Sequence, residues 1–337
     1  MQFGLALDLN TTRTTLDRHL DAFVPLLARA ADLGFQSVWA GETYPTGPSG
    51  SHLPAPLLAL AALAPRTTLR LGTGVTLVPA WHPLRLAYDG AVLDQLSGGR
   101  FILGVGAGGP AVWERFGVPR EQVATRIDET LAALRALWRG EPGYQGSLVH
   151  IAKGITPLPV QPGGPPIWVG GAAPRAARRA AQYGDAWTSS TAYRLTDIRA
   201  QVRRYRAALA AAGKDPARAI VGANRLTYIA ETDEQARAEG APYVQRALAM
   251  YARGGGLLAP DGSKVSPDAP LLDVVGDEVC LVGSPETVSA RLEEYARAGV
   301  THVQLRVAAA DLPLDQVERS ITLAGTRVLP RQAAPAG

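Results

Sequence analysis

The chain repeats one unit, a short apolar run followed by a stretch whose apolar residues recur at helical spacing. The runs fall at 2–9, 36–41, 69–78, 100–109, 165–171, 185–190, 218–231 and 302–307, and they are apolar without alternation. Continuous apolar runs of this length suit strands of a parallel sheet that helices cover. The first helical stretch shows the pattern, with Leu16, Leu20, Phe23, Leu27 and Ala31 on one face and Gly34 as its stop. Further helices are expected over 53–63, 82–99, 120–140, 174–183, 195–212, 233–253, 285–298 and 314–329. Eight strand–helix units predict an α/β fold, a (β/α)8 TIM barrel, as one domain over 1–330 with a flexible tail at 331–337. An open doubly wound sheet shares the alternation. Its edge strands, however, would not stay short and apolar to the end of the chain as these do. Two stretches break the rhythm and are read as insertions after strands four and seven: 140–166, with Gly and Pro, and 254–280, with GGG, prolines and DGS.

Composition removes several classes of function. With 47% hydrophobic residues in 337, the chain has material for a large core. No run of about 18 uncharged apolar residues occurs, and no basic segment leads into an apolar run at the start. A cytoplasmic location without membrane contact is therefore expected. Cys280 stands alone, which excludes an internal disulfide and a thiolate-rich zinc or iron–sulfur site. The 34 basic residues are interspersed with 30 acidic ones and form no patch interleaved with aromatics, so nucleic acid is not an expected partner.

Barrel enzymes carry their chemistry at the C-terminal ends of the strands, so the candidates are the residues that follow each run. These are Asp8 and Asn10, Glu42 to Tyr44, Thr76 with Trp81 and His82, Gly106 to Gly109, Gly170 to Ala173, Thr188 to Ser190, Glu231 and Arg306. Three successive ends are glycine or hydroxyl clusters: Gly106, Gly108 and Gly109, then Gly170 and Gly171, then Thr188, Ser189 and Ser190. Glycine lets backbone N–H groups approach an anion and hydroxyls add donors, so a phosphate-bearing ligand is expected. Gly104, Gly106 and Gly109 also satisfy G-x-G-x-x-G, the dinucleotide fingerprint. Its context is wrong, because Pro110 follows the last glycine, the unit is the fourth, and no acid ends the next strand. Trp39, Tyr44, Trp81 and Trp187 near strand ends suit a planar ring. No His has the spacing to Asp, Glu or another His that a metal site needs, so no metal is expected; G-x-S-x-G and P-loop motifs are also absent. Glu42, at the second strand end, and His82, held between Trp81 and Pro83 in the third loop, are the acid–base candidates.

The stretch LRLGTGVTLVPAWHPLRLAYDGAVLDQLSGGRFILGVGAGG at 69–109 carries a resemblance, together with PIWVGGAAPRAARRAAQYGDAW at 166–187 and GFQSVWAGE at 34–42. These segments resemble the bacterial luciferase-like superfamily of flavin- and deazaflavin-dependent oxidoreductases, and the resemblance covers nearly the whole chain. It implies a barrel that binds reduced FMN or coenzyme F420 across its mouth and moves a hydride or activates O2 on a small organic substrate. It also implies a homodimer or other homo-oligomer and a flavin reductase as partner. By resemblance, Ala6, Asp8, Glu42 and Thr43 border the ring, and Gly74, Val75 and Thr76 occupy a strand-three motif where a non-prolyl cis peptide forms a bulge behind it. Gly106, Ala107 and Gly108 would line the pyrimidine side, Gly170, Gly171, Thr188 and Ser189 would take the phosphate, and Arg306 would add a cation.

Two departures narrow the activity. Sugar-phosphate dehydrogenases of the superfamily carry an acid after the strand-four glycines and a Trp and His near strand two, where this chain has Gly109 and ETYPTG. That argues against sugar-phosphate oxidation. The large insertion of bacterial luciferase itself is not evident, so light emission is not implied. No residue chooses between FMN and F420. Two other readings share the phosphate site: a barrel lyase or isomerase, which lacks a strand-end lysine for a Schiff base, and a barrel that binds the cofactor without turnover.

Overall fold

A computed structural model describes residues 1–9, 15–44, 53–308 and 312–333; Asn10, His52 and the tail from 334 lie outside the described residues. The apolar runs form parallel strands because the barrel interior and the helices bury both of their faces. They are β1 (Gln2–Leu7), β2 (Ser37–Ala40), β3 (Arg70–Thr73) with its short continuation β4 (Thr76–Leu77), and β5 (Phe101–Gly106). After the antiparallel hairpin of β6 (Tyr144–Gln145) and β7 (His150–Ile151) come β8 (Ile167–Gly170) and β9 (Ala186–Ser189). The remaining strands are β10 (Ile220–Ile229), β11 (Cys280–Gly283) and β12 (His302–Ala308). Parallel pairing runs β1–β2–β3–β5–β8–β9–β10–β12 and returns to β1, with Gly4 opposite Gln304 at the seam, so the barrel is closed.

The covering helices are α1 (Leu16–Asp32), α2 (Pro56–Leu63), α3 (Pro83–Leu96), α4 (Pro110–Arg115), α5 (Val123–Trp138) and α6 (Pro174–Gln182). They continue with α7 (Leu195–Ala211), α8 (Asp233–Arg253), α9 (Leu271–Val279), α10 (Pro285–Arg297), α11 (Leu314–Leu323) and α12 (Leu329–Ala333). Proline opens α2, α3, α4, α6 and α10, where its missing N–H costs no intrahelical bond. One contiguous apolar core, reaching from Phe3 to Leu329, joins these helices to the outer face of the barrel.

Three segments differ from the sequence expectation. The run at 69–78 is two strands, interrupted at a cis peptide between Gly74 and Val75; β3 pairs with β2 and β5, whereas β4 pairs with β5. The stretch 254–280 is more than a surface insertion, because it contains α9 and leads into β11. Val244, Leu248, Leu271, Val275 and Val279 form a satellite core there, and the far half of β10 pairs with β11, Leu226 opposite Cys280. The nine residues of α9, preceded by prolines and glycines, span too few turns for a period to show. The glycines after β5 open into α4, a six-residue helix that no periodicity announces.

The barrel interior is plugged. Ala6, Trp39, Ile102, Trp168 and Ala186 form their own buried cluster, with the Trp39 and Trp168 rings 4.8 Å apart. Glycines opposite make the room: a Cβ on Gly72 would lie 2.2 Å from the Trp39 ring, and one on Gly222 2.7 Å from that of Trp168. His302 meets Trp168 edge-on at 5.1 Å. Burial, aided by Arg70 and the chain's N-terminus, pushes the His302 imidazole down to about 4.

Candidate active site

The C-terminal ends of β3, β5, β8 and β9, with residues inside β10 and β12, surround a cavity of about 860 Å³ that opens above this plug, with Trp39 in its floor. One wall is made of glycine and the interrupted third strand. Thr73 closes β3 by donating its hydroxyl to Gly104 O at 2.8 Å and accepting from the Gly104 N–H at 2.9 Å. The chain then turns through Gly74 and Val75, whose carbonyl accepts from the Glu42 N–H at 3.1 Å. A Cβ on Gly106 would come within 2.8 Å of Val75 Cγ2, so the wall is flat because it has no side chain there. Trp113 of α4 fixes the end of the wall by donating to Ala107 O at 2.6 Å.

Across the cavity, β8 and β9 build a cradle. Gly171 stands at φ +142°, and a Cβ on it would lie 2.9 Å from that of Ala176. Its carbonyl accepts from Trp187 Nε1 at 3.0 Å and Gln201 Nε2 at 3.1 Å, and Gln201 also reaches Ala173 O at 3.2 Å. Helix α6 begins here with no acid in its first turn. Thr188 Oγ1 and Ser189 Oγ are buried in the cavity wall without a partner, a state that costs on the order of 1–3 kcal/mol per group until something satisfies it. Exposed Arg175 and the Tyr193 hydroxyl, which lies against the Ala172 N–H, extend the donor set; burial pushes Tyr193 up to about 12, so it keeps its proton. The loop bearing Tyr193 is held from below by the fully buried Arg225, which donates to the carbonyls of Ser190, Thr191 and Tyr193 at 3.1, 3.0 and 2.8 Å. Backbone amides at a helix start, hydroxyls and a guanidinium are the donor set a phosphate takes.

Of the sequence candidates, Gly74, Val75, Gly106, Ala107, Gly108, Gly170, Gly171, Thr188 and Ser189 line the cavity. Ala6 belongs to the plug beneath it. Asp8 and Arg306 form an ion pair of 2.7 Å beside the cavity, with Arg306 also donating to Tyr251 Oη at 3.0 Å. Burial opposes the guanidinium charge, but Asp8 and Tyr251 outweigh it and raise Arg306 above its ordinary value, so its charge is balanced within the protein. Thr76 is buried with its hydroxyl unpartnered, and Thr43 exchanges bonds with Leu53 at 2.9 and 3.0 Å. Glu42 does not line the cavity. Its buried carboxylate accepts from Tyr44 Oη, from the Leu77 N–H at 2.8 Å and from Trp81 Nε1 at 3.0 Å. Burial raises the Glu42 carboxyl, these donors oppose it, and the net direction is upward. The His82 ring is exposed ahead of α3 and outside the cavity lining, and Glu231 is an exposed partner of Arg327.

Several lining residues were not among the candidates: Trp113, Arg120, Arg175, Tyr193, Asn224, Tyr251 and Gln304. Asn224 and Gln304 lie within β10 and β12, short of the strand ends, and the signal that would have found them is an amide inside an apolar run. Among the described residues, no group of three or more His, Cys, Asp or Glu side chains could hold a metal, and no helix is long and apolar enough to cross a membrane.

Comparison with known proteins agrees with this architecture. The chain is 31% identical over 191 residues to the oxygenase component of the flavin-dependent trigonelline monooxygenase of Acinetobacter baylyi, an alignment spanning 55% of this chain and 52% of that protein. It is 26% identical over 327 residues to the 5,10-methylenetetrahydromethanopterin reductase of Archaeoglobus fulgidus, spanning 90% and 93%. Its fold superposes on monooxygenase RslO1 from Streptomyces bottropensis with a TM-score of 0.86, at 28% identity over 99% and 100% of the two chains. With the closed barrel and a family match over residues 1–302, the chain belongs to the luciferase-like monooxygenases.

Proposed function

We propose that the protein is a flavin- or deazaflavin-dependent oxidoreductase acting on a small organic substrate, with FMN or coenzyme F420 as cofactor. The observation that carries this reading is the pair of buried, unpartnered hydroxyls of Thr188 and Ser189 beside Gly171 and the start of α6. They are donors awaiting an acceptor, in a cradle whose Gly171 leaves no room for a side chain. A phosphate, which both cofactors carry, fits them. The bound ring supplies hydride transfer or, when reduced, activation of dioxygen.

The chain's own part is placement and exclusion of water. Val75 and Gly106 to Gly108 offer a flat wall to a planar ring, and Trp39 closes the floor beneath it. Walls that exclude water strengthen each polar contact made between them. Glu42 holds the Gly74–Leu77 segment, its carboxylate engaged by three donors, and exposed His82 stands outside the cavity lining. The likeness to the oxygenase component of trigonelline monooxygenase supports a partner reductase that delivers reduced flavin. A Schiff-base lyase is disfavoured because none of Lys153, Lys214 and Lys264 lines the cavity.

Titrating the purified protein with FMN, reduced FMN and F420 tests the reading, with saturable binding of at least one expected. Gly171→Leu should weaken that binding about tenfold or more, because the added side chain displaces the cradle. Failure of all three to bind, or an unchanged affinity in the variant, would overturn it.

A further inference from the structure

The cavity contains two amide donors that the phosphate cradle does not use. β10 and β12 are neighbours in the barrel, Asn224 stands directly opposite Gln304 in their register, and both side chains line the cavity. Asn224 Oδ1 accepts from Thr191 Oγ1 at 2.9 Å, which orients the amide and leaves Nδ2 as its free end. Gln304 is 2% exposed, and its Nε2 is buried without a partner. A buried N–H donor with no acceptor is rare in a native fold and calls for a ligand that brings one.

No neighbouring side chain brings one within hydrogen-bond distance of Gln304 Nε2. Gly4, across the seam from Gln304, has no side chain, and His302, two residues below, packs against Trp168. Arg306, two residues above, is itself a donor and already paired with Asp8. Because that ion pair is balanced, no net charge beside the amides asks for an anion. The acceptor they lack is a neutral one. The two donors stand on adjacent strands, roughly 4.8 Å apart, on the side of the barrel opposite the Gly74–Val75 wall.

We propose that Asn224 and Gln304 form a carbonyl-binding pair, their amide N–H groups receiving a neutral carbonyl oxygen of the bound ligand. That oxygen belongs either to the cofactor ring or to a ketone or aldehyde substrate seated between the ring and β10–β12. The inference rests on the oxidoreductase reading above and extends it to the class of group the cavity recognises.

The test measures FMN and F420 affinity by fluorescence, and then binding of cyclohexanone and benzaldehyde to the cofactor-loaded protein by the change in cofactor absorbance. Gln304→Leu removes the donor, and Gln304→Met keeps the length of the side chain without an N–H. Asn224→Leu serves as the second variant should position 304 not tolerate change, with thermal melting as the check on folding. If the ring is the partner, cofactor affinity falls about tenfold or more in these variants and the bound absorbance band shifts. If the substrate is the partner, cofactor affinity is retained while the carbonyl probes lose about tenfold or more in affinity. Folded variants with wild-type affinity for cofactor and probes alike overturn the proposal. A wild-type protein that binds neither cofactor fails the oxidoreductase reading instead.

Discussion

At Glu42 a carboxylate stands where barrel enzymes keep their chemistry, and the protein's own donors engage both of its oxygens. Leu77 and Trp81 donate to it from one side and Tyr44 from the other, so it ties the second strand end to the chain beyond Val75. A glutamine there has one acceptor atom in place of two and leaves a buried donor without a partner. Glu42→Gln should therefore destabilise the fold by about 1–3 kcal/mol in chemical denaturation. Its pH dependence follows from burial, which raises the carboxyl in the folded state above its unfolded value. The stability contributed is complete below the unfolded value and is lost as pH rises through the folded one; the variant should lack that slope. A wild-type slope in the variant would assign the titration elsewhere. The residue type and its place at the strand end were legible in the sequence, but its partners were not, because Leu77 and Trp81 meet it only after the third strand is interrupted.

Elements were legible where burial imposes a period. The eight barrel strands sit within a few residues of the apolar runs, and the long helices follow their stripes, because a parallel strand covered on both faces has little choice of residue. Short elements held by side chains left no such trace. The β6–β7 hairpin depends on Glu129 of α5, which accepts from the Leu148 and Val149 N–H groups at 2.8 and 2.9 Å and from Ser147 Oγ at 2.6 Å. Burial alone would raise this carboxyl, but the bonds from Ser147, Leu148 and Val149 prevail and bring it to about 2. A depressed carboxyl contributes stability that is present above the unfolded value and is lost as pH falls towards 2. Glu129→Ala should expose the amides of residues 147–149 to fast hydrogen exchange at neutral pH while the barrel strands stay protected. Unchanged protection of those amides would show that the hairpin stands without its clamp. The amides of β10 and β12 differ: an amide inside an apolar run is legible, but that it faces the cavity is settled only when the barrel closes around it.

At the scale of the whole molecule, the plug couples the lower half of the barrel to the site above it. His302 is packed in that plug, and its imidazole is held from the ordinary 6.5 down to about 4. A depressed histidine resists the proton that the unfolded chain accepts, so stability is complete above pH 6.5 and falls as acid approaches 4. Replacing it in His302→Asn should flatten the loss of melting temperature across that interval, and an undiminished loss would trace the effect to other groups. The plug also has an optical consequence. Trp39 forms part of the cavity floor and touches Trp168, so two indole emitters sit directly beneath whatever the cavity holds. A ligand that absorbs in the near ultraviolet, as flavins and deazaflavins do, would take up their emission by resonance transfer. The protein thus carries its own gauge of occupancy, readable as the dimming of its tryptophan fluorescence without any label.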